Sequence, residues 1–147
     1  MNDTRTQKPF DILLVEDSAS DALMAREALA AGGLPHALHV VSDGIEAIAF
    51  LRREGGYADA PRPSLIYLDL NMPRKSGREV LAEIKADPDL RDIPVVVLTT
   101  SSAEKDINEA YRLHANAYMI KALDFDQFVN AITCAQRFWF DVVALPG

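Results

Sequence analysis

The sequence predicts an α/β protein with a doubly wound five-stranded parallel sheet. Three observations predict this class. Short apolar runs alternate with helical segments five times along the chain. The runs are nearly uninterrupted in their apolar character, as expected of strands buried on both faces. No tight-turn signal joins one run directly to the next, so consecutive strands are parallel and connected by right-handed crossovers.

The first run, Asp11 to Val15, ends abruptly in Glu16-Asp17. Ser18 is placed to cap a helix, with Asp21 three residues on. That helix runs through Leu29 and stops at Gly32-Gly33. His36 to Val41 is the second strand, and Asp43, with Glu46 three residues later, opens the second helix. Its Ala47, Ile48 and Leu51 recur at helical spacing. Arg53 to Ser64 carries two Gly and two Pro and reads as a loop, with Arg52-Arg53 on a solvated face. Leu65 to Leu68 forms the third strand, running into Asp69, and a turn closed by Pro73 follows. Ser76 and Glu79 have the type and spacing of a capping box, and Val80, Leu81 and Ile84 line one face of the third helix before Pro88 marks its end. Ile93 to Leu98 is a fourth strand. Ser101 and Glu104 propose a second capping box for a helix carrying Ile107, Ala110 and Tyr111. Ala117 to Ile120 is the fifth strand, ending in Lys121. Asp124 and Gln127 start the last helix, with Phe125, Phe128, Val129 and Ile132 on one face. Cys134 is placed with that apolar face and read as core.

The 147 residues fit one domain over 10–135, with a polar tail at 1–9 and an extension at 136–147. Apolar residues make up 49%, enough for a sizeable core. No run approaches the about 20 apolar residues of a membrane span, and residues 1–9 lack the apolar stretch of a secretion signal, so a soluble, cytoplasmic protein is expected. With 22 acidic against 15 basic residues the net charge is −7, unsuited to nucleic acid. A single cysteine excludes an internal disulfide and a Cys-based zinc site. His36, His39 and His114 are scattered and read as structural or surface groups.

The carboxyl ends of parallel strands share one edge, where open α/β sheets place their chemistry. Glu16 and Asp17 stand there after the first strand, Asp69 after the third, Thr99 at the end of the fourth and Lys121 after the fifth. Taken alone, Asp69 could be a turn cap and Glu16-Asp17 an acidic pair favoured by a helix N-terminus. Together, three carboxylates repel unless a cation joins them. Oxygen ligands favour a hard ion such as Mg2+, and the backbone carbonyl of Asn71 is placed to add another oxygen. Such a site leaves room for a phosphoryl oxygen, with Lys121 and Thr99 completing the cradle. No general base for activating water stands nearby, which suits Asp69 as the nucleophile itself.

Val15-Glu16-Asp17, Leu68-Asp69-Leu70-Asn71-Met72-Pro73, Val97-Leu98-Thr99 and Lys121 resemble the receiver domain of two-component response regulators. Thr99 lies 30 residues after Asp69 and Lys121 lies 52 after, spacings that match the family. The resemblance spans residues 10 to 135 and implies a (βα)5, flavodoxin-like fold. It implies Asp69 as phosphoacceptor from a histidine kinase, and Glu16, Asp17, Asp69 and the Asn71 carbonyl as Mg2+ ligands. Thr99 and Lys121 would bind the phosphoryl group, and Tyr118 would be the rotating aromatic of a conformational switch. Leu98-Thr99-Thr100-Ser101-Ser102, Leu113-His114-Ala115-Asn116 and the ending from Phe138-Trp139-Phe140 through Pro146 further resemble the small stand-alone regulators paired with bacterial phytochrome kinases.

One residue departs from the family. Its lysine is usually followed by proline through a cis bond, whereas Lys121 is followed by Ala122. A cis bond before a non-proline costs about 2.5–4 kcal/mol. The bond is therefore either trans, loosening the loop, or cis under strain, and the position of Lys121 is the point to check. The apolar run Phe138 to Leu145 predicts a homodimer through the fourth and fifth helices and this tail, the alternative being a tail folded on its own domain. Two other functions compete with the phosphorylation switch. A Mg2+-dependent aspartyl-phosphate phosphatase would carry a second Asp where Asn71 stands. A scaffold with a vestigial site is supported only by the missing proline.

Overall fold

A computed structural model of the chain describes residues 10–33, 36–72, 74–121 and 124–139. The expected tail at 1–9, the closure of the turn at Pro73, the Lys121-Ala122 bond and the extension beyond Trp139 lie outside the described residues.

Strands β1 (Phe10–Val15), β2 (His36–Val41), β3 (Leu65–Leu68), β4 (Val95–Thr99) and β5 (Ala117–Ile120) form one parallel sheet in the order 2-1-3-4-5. Helices α1 (Ala19–Ala31), α2 (Gly44–Arg52), α3 (Gly77–Ala86), α4 (Glu104–Arg112) and α5 (Phe125–Arg137) alternate with them, so the expected doubly wound class is the observed one. The register is tight: Leu14 pairs with Tyr67, and Tyr67 with Val96.

Because strand side chains alternate, each central strand feeds two cores. Leu13, Val15, Ile66, Leu68, Val95 and Val97 pack against α2 and α3. Ile12, Leu14, Leu65, Tyr67, Val96 and Leu98 pack against α1 and α5. Burial on both faces is the physical reason that the strand sequences are apolar without interruption. Tyr67 sits deep in the second core, its hydroxyl without a partner among the described residues and its ionisation pushed up by burial. Tyr67→Phe should therefore stabilise the fold by about 1 kcal/mol, read as a higher urea midpoint, because an unmatched buried hydroxyl costs more than it returns.

Local signals account for most helix starts. Ser18 accepts from the Asp21 N–H, Asp43 from the Glu46 N–H, and Ser76 and Glu79 form a reciprocal capping box. The second box does not form. Ser101 Oγ instead donates to Asp106 at 2.6 Å and accepts from the Ala103 N–H, so α4 starts at Glu104 with Ala103 as an N-cap lacking a side-chain bond. At the end of α1, Gly33 takes the left-handed conformation, with φ of 79°.

Several side chains depart from expectation. Cys134 is exposed, not core. The buried stripe of α5 is Phe128, Ile132 and Gln136, and Cys134 lies two residues, about 200°, round from Ile132. Phe125 is exposed because it occupies the first position of α5, and Tyr111 is exposed on α4, where Ala110 is the buried residue. Arg52 and Arg53 are tied down despite their exposure. Arg52 bridges to Glu83 of α3 at 2.7 Å, and Arg53 donates to the Ala60 carbonyl at 2.9 Å.

Candidate functional site

With strand order 2-1-3, the chain leaves β1 towards one side and β3 towards the other, opening a crevice at their carboxyl ends. The sheet ladder continues one residue into that crevice. The Glu16 N–H donates to Val41 O and the Asp69 N–H to Val15 O, each at 3.0 Å. Both acidic residues are thus held by the rigid sheet rather than by free loops. Glu16 and Asp69 are buried while Asp17 faces outward, and a carboxylate oxygen from each of the three lies within 4.8 Å of the others.

Lys121 reaches this cluster from β5. Its ammonium bonds Glu16 directly, donates to Asp21 at 2.9 Å and lies 3.7 Å from an Asp69 oxygen. Its backbone N–H donates to Thr99 O at 2.7 Å. The doubt raised by Ala122 therefore does not extend to the ammonium, which is within range to act on Asp69. Burial pushes the Glu16 carboxyl up to about 7, with the Asp69 charge adding to it and the Lys121 and Ser18 hydrogen bonds opposing it. Lys121 is held above the usual lysine range, because the bonds to Glu16 and Asp21 and the charge of Asp69 outweigh its burial.

Removing this ammonium should be costly. Lys121→Met keeps the buried stem but leaves three carboxylates without their internal cation. In metal-free buffer at neutral pH it should lose about 3 kcal/mol of stability. Added Mg2+ should raise its thermal midpoint more than that of the wild type.

Thr99 ends β4 with only 1% of its surface exposed, and its buried Oγ1 has no partner among the described residues. A fold rarely keeps a buried hydroxyl unmatched. Tyr118 is half-buried against the core, and its hydroxyl donates to Ser101 O at 2.9 Å. Asn71 is exposed beyond Asp69, and its backbone N–H donates to Asp69 Oδ1 at 3.2 Å.

The loop between β3 and α3 is gripped from both sides. Arg74, in a left-handed conformation with φ of 64°, bonds the buried Asp43 carboxylate at the start of α2. Burial raises that carboxyl, but the Glu46 N–H and Arg74 together draw it below the usual carboxylate range. On the other side, Arg78 of α3 joins Asn71 to α4. Sequence reasoning did not assign Asp21, Asp43, Arg74 or Arg78 to the surroundings of the site. Only Asp21 carried a usable signal, as an acidic residue one turn into the helix that leaves Glu16-Asp17.

The residues fit a divalent cation: three carboxylates converge at one point, and all the converging donors are oxygens. Comparisons with known proteins agree. The family profile described as the response regulator receiver domain matches residues 12–133. Response regulator Rcp1 of Synechocystis sp. is 48% identical over 139 residues, covering 95% of each chain. The crystal structure of the phosphorylated cyanobacterial phytochrome response regulator RcpA superposes with a TM-score of 0.90 at 49% identity, covering 95% of this chain and all of that one. The crystal structure of the Mn2+-bound form of Rcp1 gives 0.88 at 47% identity, with the same coverage.

Proposed function

This chain belongs to the response regulator receiver domain family, and on that premise we propose that it is a phosphorylation switch whose phosphoacceptor is Asp69. The observation that carries the reading is the convergence of Glu16, Asp17 and Asp69 within 4.8 Å, with the Lys121 ammonium 3.7 Å from Asp69. Glu16, Asp17, Asp69 and the Asn71 carbonyl would hold Mg2+, which would offset the charge of the incoming phosphoryl oxygens. One Asp69 oxygen forms the new O–P bond as the P–N bond of a phosphohistidine breaks, and the departing imidazole takes a proton from solvent. Lys121 would pair with a phosphoryl oxygen, and the Thr99 hydroxyl, without a partner among the described residues, would donate to another. Drawing Thr99 towards the phosphoryl group would leave space into which Tyr118 rotates.

The kinase is proposed to be of the bacterial phytochrome type, by likeness to Rcp1 and RcpA, and the setting cytoplasmic. Tyr111, Ile120 and Phe125 are exposed on α4, β5 and α5, which supports a homodimer on that face. A monomeric mass in light scattering, with and without an acyl-phosphate mimic, would sink the dimer. The phosphatase reading is disfavoured by Asn71, which has no carboxylic proton to give, and the scaffold reading by the placement of Lys121.

The direct test is incubation with a small acyl phosphate and Mg2+, followed by peptide mapping. One phosphoryl group on the peptide containing Asp69, absent when the metal is chelated, is the expected result. Phosphate on another peptide would overturn the assignment.

A further inference from the structure

Arg78 occupies the first turn of α3, directly after Gly77, yet its guanidinium is spent on other elements. Nε donates to Glu109 at 2.5 Å and Nη2 to Asp106 at 3.0 Å, both on α4, while Nη1 lies 3.5 Å from Asn71 Oδ1. The second oxygen of Asp106 takes the Ser101 hydroxyl at 2.6 Å, and the Ser101 carbonyl takes the Tyr118 hydroxyl at 2.9 Å. A continuous polar chain therefore runs from the loop after Asp69 to the aromatic residue on β5.

The rest of α4 gives this chain leverage. Among the described residues the helix buries only Ala110, and its N-cap makes no side-chain bond. An element with so little packing and no cap opens easily, and a few polar tethers then decide where it sits. The two bonds to α4 are short and the contact with Asn71 is long, so the guanidinium travels with α4 and the Asn71 arm is the one most easily remade.

On the reading of Asp69 as phosphoacceptor, we propose that Arg78 is a positioning residue that couples occupancy of the site to the placement of α4. The side chain of Asn71 meets Arg78 while its carbonyl belongs to the proposed ligand set. A shift of that residue on ligation changes the guanidinium's bonding, and the change arrives at the start of α4. By linkage the effect is reciprocal: fixing α4 also biases the ligated site. A rim ion pair holding α3 to α4 would add little stability and transmit nothing.

Hydrogen exchange on the full chain separates the two, with Mg2+ and beryllofluoride as the probe. In Arg78→Gln, α4 amides in the unliganded protein should exchange about tenfold faster, while α1 amides stay as in the wild type. The change in α4 protection caused by beryllofluoride should fall at least about fivefold, while Mg2+ affinity by calorimetry stays within about threefold. Asp106→Asn should do the same, and the double variant should add nothing further. Arg78→Lys keeps the charge but not the fork, and should fail to restore the response. A wild-type α4 response in Arg78→Gln, or full additivity with Asp106→Asn, overturns the coupling and leaves the phosphoacceptor intact. A wild-type protein that takes up no beryllofluoride overturns the phosphoacceptor and the coupling together.

Discussion

Asp69→Asn should abolish phosphoryl uptake from acyl phosphate, lowering incorporation by at least about a thousandfold, and at the same time make the metal-free protein more stable. The loss is chemical. An amide offers no carboxylate oxygen to attack phosphorus, and no second carboxylate can replace it: Glu16 is bonded to Lys121 and Ser18, and Asp17 faces outward. Divalent affinity should fall at least about tenfold, since one of three converging charges is removed. The gain in stability is electrostatic. Above about pH 7, where Glu16 is ionised, Asp69 has two like charges within 4.8 Å and one cation at 3.7 Å, and asparagine is nearly isosteric. Removing the net repulsion is worth about 1 kcal/mol at the dielectric of a partly exposed site. Urea unfolding in chelator should show a raised midpoint for Asp69→Asn, and saturating Mg2+ should narrow or reverse the difference. An unchanged or lowered midpoint in chelator would mean that Lys121 already neutralises the cluster.

What the sequence revealed and what it hid divide along a physical line. The strands were legible because each is buried on both faces and must be apolar throughout. The caps at Ser18, Asp43 and Ser76 were legible because a cap is satisfied within three residues of itself. Ser101 looked the same but finds a better partner in Asp106, so the local rule lost to a competing bond. Cys134 was misplaced because apolar neighbours do not say which face of α5 meets the sheet. The site residues at the strand ends were legible because parallel topology alone brings them to one edge. Asp21 beneath Lys121, and the bonds of Arg74 to Asp43 and of Arg78 to α4, join residues 28 or more apart in sequence, and no periodicity announces them.

The same limit applies to Gly77, which in the sequence is only an interior position of a capping box. Alanine at the first residue of a helix ordinarily helps, by about 0.5–1 kcal/mol relative to glycine. Here the sign should reverse. A Cβ at Gly77 would stand 2.1 Å from Asp69 O and 2.6 Å from Leu70 Cα, and neither backbone atom can swing aside. The start of α3 lies this close because the Gly77 N–H donates to Leu70 O at 2.9 Å. The far side of the loop is equally tight, since a Cβ at Gly44 would meet Lys75 O at 2.2 Å. Held between two helix starts, the loop has nowhere to retreat, and the displacement must pass into Asp69 itself. Gly77→Ala should therefore cost about 3 kcal/mol of stability. Its divalent affinity should fall by at least about tenfold, although no ligand has been changed. Gly56→Ala is the control, since a Cβ there meets nothing within 4 Å, and it should leave both quantities unaltered. If Gly77→Ala kept wild-type stability and metal affinity, α3 would be free to shift, and the rigid seating of Asp69 described above would be wrong.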